Sequence, residues 1–127
     1  MKKHEKQQTL PPTVLAKALE RATGISIPIQ SFNLALRKCG LQDHSPQGGW
    51  RLLQQGYSYG VQTRLYKGKK GSREDVQWLP DVLESRLLMG ILGLSQNEAA
   101  AAVAEAEVEV HRLQPKRASR PVWLNRV

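Results

Sequence analysis

The sequence predicts an α+β fold in which two short helices precede a basic β-hairpin and further helix follows it. Three observations predict this. Apolar residues recur at helical spacing on either side of Thr23-Gly24. Two β-favouring runs then flank a loop of glycine and basic residues, KGKKGSRED at residues 67–75. Last come a proline-started helix at Pro80 and an alanine-rich helix from Gln96.

The 127 residues suit one domain with a modest core. Apolar content of 40% and charged content of 24% describe a soluble globular chain rather than a disordered one. The net charge is +8. Such a balance favours a polyanionic partner, because clustered Lys and Arg release counterions from phosphates. Cys39 is the only cysteine, so no intramolecular disulfide can form, and a buried thiol is expected. No apolar run approaches the roughly 20 residues of a membrane span. MKKHEKQQTL lacks the apolar core of a secretory signal, and a cytoplasmic location is the expectation.

Taken in order, residues 1–11 read as a flexible N-terminus, 12–94 as the domain, 95–114 as a further helix and 115–127 as a basic tail. Thr13 is the expected N-cap of the first helix, whose stripe is Val14, Leu15, Ala18, Leu19 and Ala22. Gly24 suits the left-handed position after its last turn. Ser26 is the expected cap of the second helix, with Pro28 in the first turn, Ile29, Phe32 and Leu36 inward, and Gly40 as the stop. Two such helices joined by a short glycine turn form a helix-turn-helix candidate. Residues 42–49 read as loop, 50–53 as a short strand and 54–56 as a turn. Val61, Thr63 and Leu65 then alternate with Gln62, Arg64 and Tyr66, the period of a half-buried strand. Gly68 and Gly71 supply a hairpin tip, and Val76 to Trp78 returns as the second strand. Together this is a winged helix-turn-helix with a β-hairpin wing.

From Pro80 the expected inward residues are Val82, Leu83, Leu87, Leu88 and Ile91. Ser95 and Glu98 form a capping box for the last helix. On it Ala99, Val103, Ala106, Val110 and Leu113 make a narrow seam. Pairing of two copies through this seam, giving a homodimer, is the first expectation, and packing on the chain's own core is the other.

The residues that would meet nucleic acid fall in three groups. On the second helix Ser26, Gln30, Ser31, Asn33, Arg37 and Lys38 include no acid, and Asn, Gln and Arg can read base edges bidentately. On the hairpin Arg64, Lys67, Lys69, Lys70 and Arg73 suit backbone contact rather than base reading. On the tail Lys116 and Arg117 lie in an acid-free run. Of the aromatics Trp50, Tyr57, Tyr59, Tyr66 and Trp78, most are expected to pack at the base of the hairpin.

Residues 13–88 resemble the C-terminal domain of phage antirepressor proteins of the KilA type. The matching pieces are Gly24-Ile25-Ser26, Phe32-Asn33-Leu34-Ala35-Leu36 and Gly40-Leu41-Gln42. Trp50-Arg51-Leu52, Gly56-Tyr57-Ser58-Tyr59 and Val76-Gln77-Trp78-Leu79-Pro80-Asp81-Val82-Leu83 follow in the same order. The resemblance implies a winged-helix-like DNA-binding module from a phage, prophage or plasmid setting. It does not extend to the family's antirepressor domain, the alanine-rich helix or the basic tail.

No phosphate-cradling loop, nucleophile elbow or HExxH is present, and His4, His44 and His111 are scattered. The expectation is therefore a protein that is not an enzyme and takes no cofactor or metal. Three functions stay open. The first is a sequence-specific regulator on double-stranded DNA. The second is a module that sequesters a protein partner. The third is a binder of RNA or single strands, with Tyr57, Tyr59 and Tyr66 stacking on bases.

Overall fold

The computed structural model describes residues 8–46, 48–66 and 72–113. They form an α+β arrangement of four α-helices and two antiparallel hairpins. The expected hairpin tip, with Lys67, Lys69 and Lys70, lies outside the described residues, as does the tail with Lys116 and Arg117.

Two prolines decide where the first helices begin. α1 spans Pro12–Thr23, and its N-cap is Pro11 at φ −63°, ψ 151°, not Thr13. α2 spans Ile29–Lys38, and its N-cap is Pro28 at φ −61°, ψ 149°, not Ser26. A residue before proline is driven from the helical region into an extended one. Ile27 precedes Pro28 and is kept extended, so α2 cannot follow a Ser26 cap. α1 begins earlier than expected because Pro12 suits the first helical position, where its missing N–H costs nothing. α2 ends on two crossed bonds, Gly40 N–H to Arg37 O at 2.9 Å and Leu41 N–H to Leu36 O at 3.1 Å. This is a Schellman closure, with Gly40 at φ 80° and Leu41 buried behind it.

The stretch expected to be loop begins with a strand. β1 (Gln42–His44) pairs with β2 (Trp50–Leu52), His44 opposite Trp50. A three-residue polar strand is too short for alternation to show in sequence. Cross-strand contact holds it instead, with the His44 and Trp50 rings stacked at a centroid distance of 4.4 Å. A 3-10 turn, Gln54–Gly56, leads to β3 (Gly60–Tyr66), which pairs with β4 (Ser72–Trp78) from Gly60 opposite Trp78 to Tyr66 opposite Ser72.

The helix expected from Pro80 is two pieces. A 3-10 helix covers Pro80–Glu84, and α3 covers Arg86–Leu92. Ser85 separates them in an extended conformation and caps α3, its side chain accepting the Leu88 N–H at 3.2 Å. The break turns the second piece on its axis. Leu87 and Ile91, expected inward, are 58% and 37% exposed, while Met89 is fully buried. α4 covers Gln96–Leu113. Its capping box is formed, with Ser95 N–H on Glu98 Oε1 at 2.8 Å and Glu98 N–H on Ser95 Oγ at 3.1 Å.

One core joins all of this. It gathers Leu15 and Leu19 of α1, Phe32 and Leu36 of α2, Val76 and Trp78 of β4, and Leu88 and Met89 of α3. Two expectations are corrected by it. Leu10, assigned to a flexible N-terminus, is fully buried and exchanges both backbone hydrogen bonds with Trp78, at 2.8 and 2.9 Å. The seam on α4 is not an open surface, because Ala99, Ala102, Val103 and Ala106 lie in the same core. α1 packs along α4, and Arg21 reaches across to Glu105 at 3.1 Å and Glu109 at 3.5 Å. Val110 is half-buried against this core. Of the seam expected to pair copies, Ala99, Val103 and Ala106 are filled from within the chain, while the side chain of Leu113 lies outside the described residues. Residues 95–113 belong to the same body as the rest.

Candidate nucleic-acid interface

The outward face of α2 carries Gln30, Ser31, Arg37 and Lys38, all exposed, with exposed Ser26 just before the helix. Two corrections apply. Asn33 does not belong to this face. It is 9% exposed, and its Oδ1 accepts a hydrogen bond from Gln42 Nε2 at 3.1 Å. Gln42 also donates to the Asn33 carbonyl, so this amide pair ties β1 to α2 in the interior. Nor is the face free of acid. β1 delivers Asp43, whose Oδ1 accepts from Arg37 Nε at 2.8 Å. That hydrogen bond, helped by the His44 backbone N–H, holds the Asp43 carboxyl below its usual range.

A second group of cations surrounds the β3–β4 hairpin, centred on Glu74. This carboxylate, 9% exposed, accepts from Ser45 Oγ at 2.7 Å and from the Arg64 guanidinium at 3.1 Å, with Arg51 Nε at 3.8 Å. The Ser45 bond is the largest cause that keeps its pKa low; burial opposes it and Arg64 adds to it. Arg51 and Arg64 remain half exposed beyond this contact. Arg73 is exposed and makes no ion pair among the described residues. Two neighbouring acids, buried Glu74 and half-buried Asp75, therefore sit among three outward arginines.

The two hairpins are fastened to each other by a side chain and a glycine. Gln62 of β3 accepts the Leu52 N–H at 2.7 Å and donates to Trp50 O at 3.1 Å and Asp75 O at 2.8 Å. It thereby satisfies β2 backbone groups that no neighbouring strand reaches. Gly49, at φ 89°, lies directly on β4, where a Cβ would overlap the Glu74 carbonyl oxygen. The Glu74 N–H bonds the adjacent Gly48 carbonyl at 3.1 Å. β1–β2 is thus a bracket, holding α2 through Arg37–Asp43 and Gln42–Asn33, and the longer hairpin through Glu74 and Gln62.

The aromatics divide. Trp78 is fully buried, and Gly60 lies so close that a Cβ would stand 2.8 Å from its ring. Trp50 and Tyr59 pack against the core, whereas Tyr57 is 66% exposed. The side chain of Tyr66 lies outside the described residues. Burial raises the Cys39 thiol pKa, as expected of a structural cysteine. Among the described residues no His, Cys, Asp and Glu cluster could hold a metal, and no single helix is long and apolar enough to cross a membrane.

Gly49, Arg51, Gln62 and Glu74 join the site without having been expected there. A signal for the bracket existed in Ser45-Pro46 and Gly48-Gly49, turn residues between two short runs. No signal in the sequence pairs Gln62 with β2 or Glu74 with Ser45, since those contacts depend on how two hairpins meet.

The class of protein this geometry defines is a small α+β domain that presents a helix face and a cationic hairpin. No family model matches the chain, and no curated protein or solved structure matches it.

Proposed function

We propose that the chain is a non-enzymatic regulator that binds double-stranded DNA as a winged-helix-like module. In this reading α2 enters the major groove with Gln30, Ser31, Arg37 and Lys38, and the β3–β4 hairpin follows the flanking backbone. Arg64 and Arg73 act on the strands just below the tip of that wing, and Arg51 from β2 beside it. Lys67, Lys69 and Lys70 act at its tip, and Lys116 and Arg117 add phosphate contacts from the tail. The KilA-type resemblance supports the same reading and points to a phage or plasmid setting.

The observation that carries it is the hairpin. Fully paired strands, fixed to the body by Gln62 and by the contact of Gly49 on β4, lead into KGKKGSR, with buried Glu74 and half-buried Asp75 the acids nearby. A rigid stem under a lysine-rich loop favours affinity for sugar-phosphate over base reading. Specificity then falls to α2. With the α4 seam filled, each copy would engage one half-site without pairing through α4.

The test is duplex-DNA affinity across a salt series, for the wild type and for Lys69→Ala/Lys70→Ala. Weaker binding to all sequences is expected. The log–log slope should become shallower by roughly 0.9 for each phosphate that the variant no longer neutralises. An unchanged slope removes the hairpin from the interface, and no binding at low salt rejects the reading as a whole.

A further inference from the structure

A groove of about 340 Å³ runs between the outward side of α2 and the end of α3. Ile25, Leu34, Ile91 and Leu92 give it apolar walls, and among the described residues Lys38 is the only charged one that lines it. The first three are unusually open for their type, at 50%, 44% and 37% exposure. Leu87, one turn before Ile91 on α3, is 58% exposed and extends the apolar strip beyond the groove. Contiguous apolar residues at helical spacing, left open on a small domain, mark a contact surface. A phosphate backbone does not call for such a strip, and a strip that continues onto α3 at Ile91 and Leu87 lies beyond the recognition helix itself.

We propose that this groove takes an acidic amphipathic helix from another protein, its apolar side chains seated between Leu34 and Ile91 and its acids facing Lys38. The choice of occupant rests on charge. The exposed face of α2 offers Gln30, Ser31, Arg37 and Lys38, and its one acidic neighbour, Asp43, is held by Arg37. A second copy would bring another chain of net charge +8 to a groove whose one charged lining residue among the described ones is Lys38. The chain's own tail, residues 115–127, carries Lys116, Arg117, Arg120 and Arg126 and no acid, so it would meet the same repulsion. An acidic helix gains where both of these lose, since like charges across an interface exclude partners and opposite charges admit them. A helix laid in a groove with anchors one turn apart is the matching mode of recognition. The inference goes beyond DNA binding and shares Ser31 and Lys38 with it, so the helix and the duplex would compete for this face of α2.

The test uses the full chain and two labelled synthetic helices of about four turns. Both carry leucines at alternating three- and four-residue spacing; one has Glu at the remaining positions and the other Lys. Anisotropy titrations should show the Glu peptide bound at least tenfold more tightly. Leu34→Asp and Leu34→Ser, both at an exposed position, should keep the wild-type circular dichroism and weaken that peptide at least tenfold. Lys38→Glu should shift the preference toward the Lys peptide. Equal affinity for the two peptides, or full affinity in Leu34→Asp, overturns the proposal. So does a concentration-dependent dimer by light scattering that Leu34→Asp abolishes, because a second copy is then the occupant. Tighter peptide binding in Trp123→Ala overturns it in favour of the tail. Loss of duplex-DNA binding in Leu34→Asp with peptide binding intact assigns the face to DNA instead.

Discussion

α4 and α2 each carry apolar residues on a face that the sequence offers to a partner, and the fold treats them oppositely. On α4 the stripe is built of small residues, Ala99, Ala102 and Ala106 with Val103, and α1 closes over it. Small side chains let helix axes approach, so such a face is satisfied by a neighbour in the same chain. On α2 the outward apolar residue is Leu34, set among Gln30, Ser31, Arg37 and Lys38, and no described element of the chain covers it. The narrow alanine seam that invites a partner in sequence is the one already occupied. The single leucine that attracts no notice is the one left available.

Four substitutions sharpen or break this contrast. Leu19→Ala opens a cavity in α1 beside the alanine stripe and should cost about 2–5 kcal/mol, read from the urea midpoint. A loss of less than about 1 kcal/mol would mean the α1–α4 contact is not the tight one described. Glu74→Gln tests the hairpin bracket through pH. The folded pKa of Glu74 lies below the ordinary value, so its stabilisation is present above about pH 4.3 and lost as pH falls through the folded value. The wild type should exceed the variant by a constant margin from neutral pH down to mild acid, and the margin should close in stronger acid. A margin that persists there would assign the effect to packing. Ser95→Ala removes the cap of α4 and should cost about 1 kcal/mol, with fraying at the start of the helix visible by amide exchange. Leu34→Ala should change stability by less than about 0.5 kcal/mol, since the side chain has no covering element. A larger loss would place Leu34 in the core and erase the contrast with α4.

Much of the fold was legible where the signal is local. The capping box at Ser95 and Glu98, Gly24 at the end of α1 and Gly40 at the end of α2 can be read because each involves neighbours within a turn. The order of the helices and the existence of β3 are also local patterns. The alternation expected of β3 is not seen, since Val61 is 51% exposed beside exposed Gln62 and Arg64. Helix starts were misplaced because Pro12 itself takes the first position of α1 and Pro28 keeps Ile27 extended, which together outweigh a threonine or serine cap. The break at Ser85 was hidden because Val82, Leu83 and Leu88 keep helical spacing through it. Of the candidate site, exposure of Gln30, Ser31, Arg37 and Lys38 follows from the stripe of Phe32 and Leu36 opposite them. The burial of Asn33, the acid at Asp43 and the roles of Gln62 and Glu74 do not. Each is created by β1–β2, an element too short and too polar to announce itself.

The seating of Gly49 on β4 sets a limit on how this protein can diverge. The atom in the way is a main-chain carbonyl, which every residue at position 74 would present, so no change of side chain there could make room. Drift can exchange Arg73, which makes no ion pair among the described residues, more readily than Arg51 or Arg64, which pair with Glu74, and so retune the affinity of the hairpin. The bracket beneath it can change only by rebuilding the turn before Gly49 in one step. A lineage of such proteins would therefore be expected to vary in its surface charges around a fixed glycine.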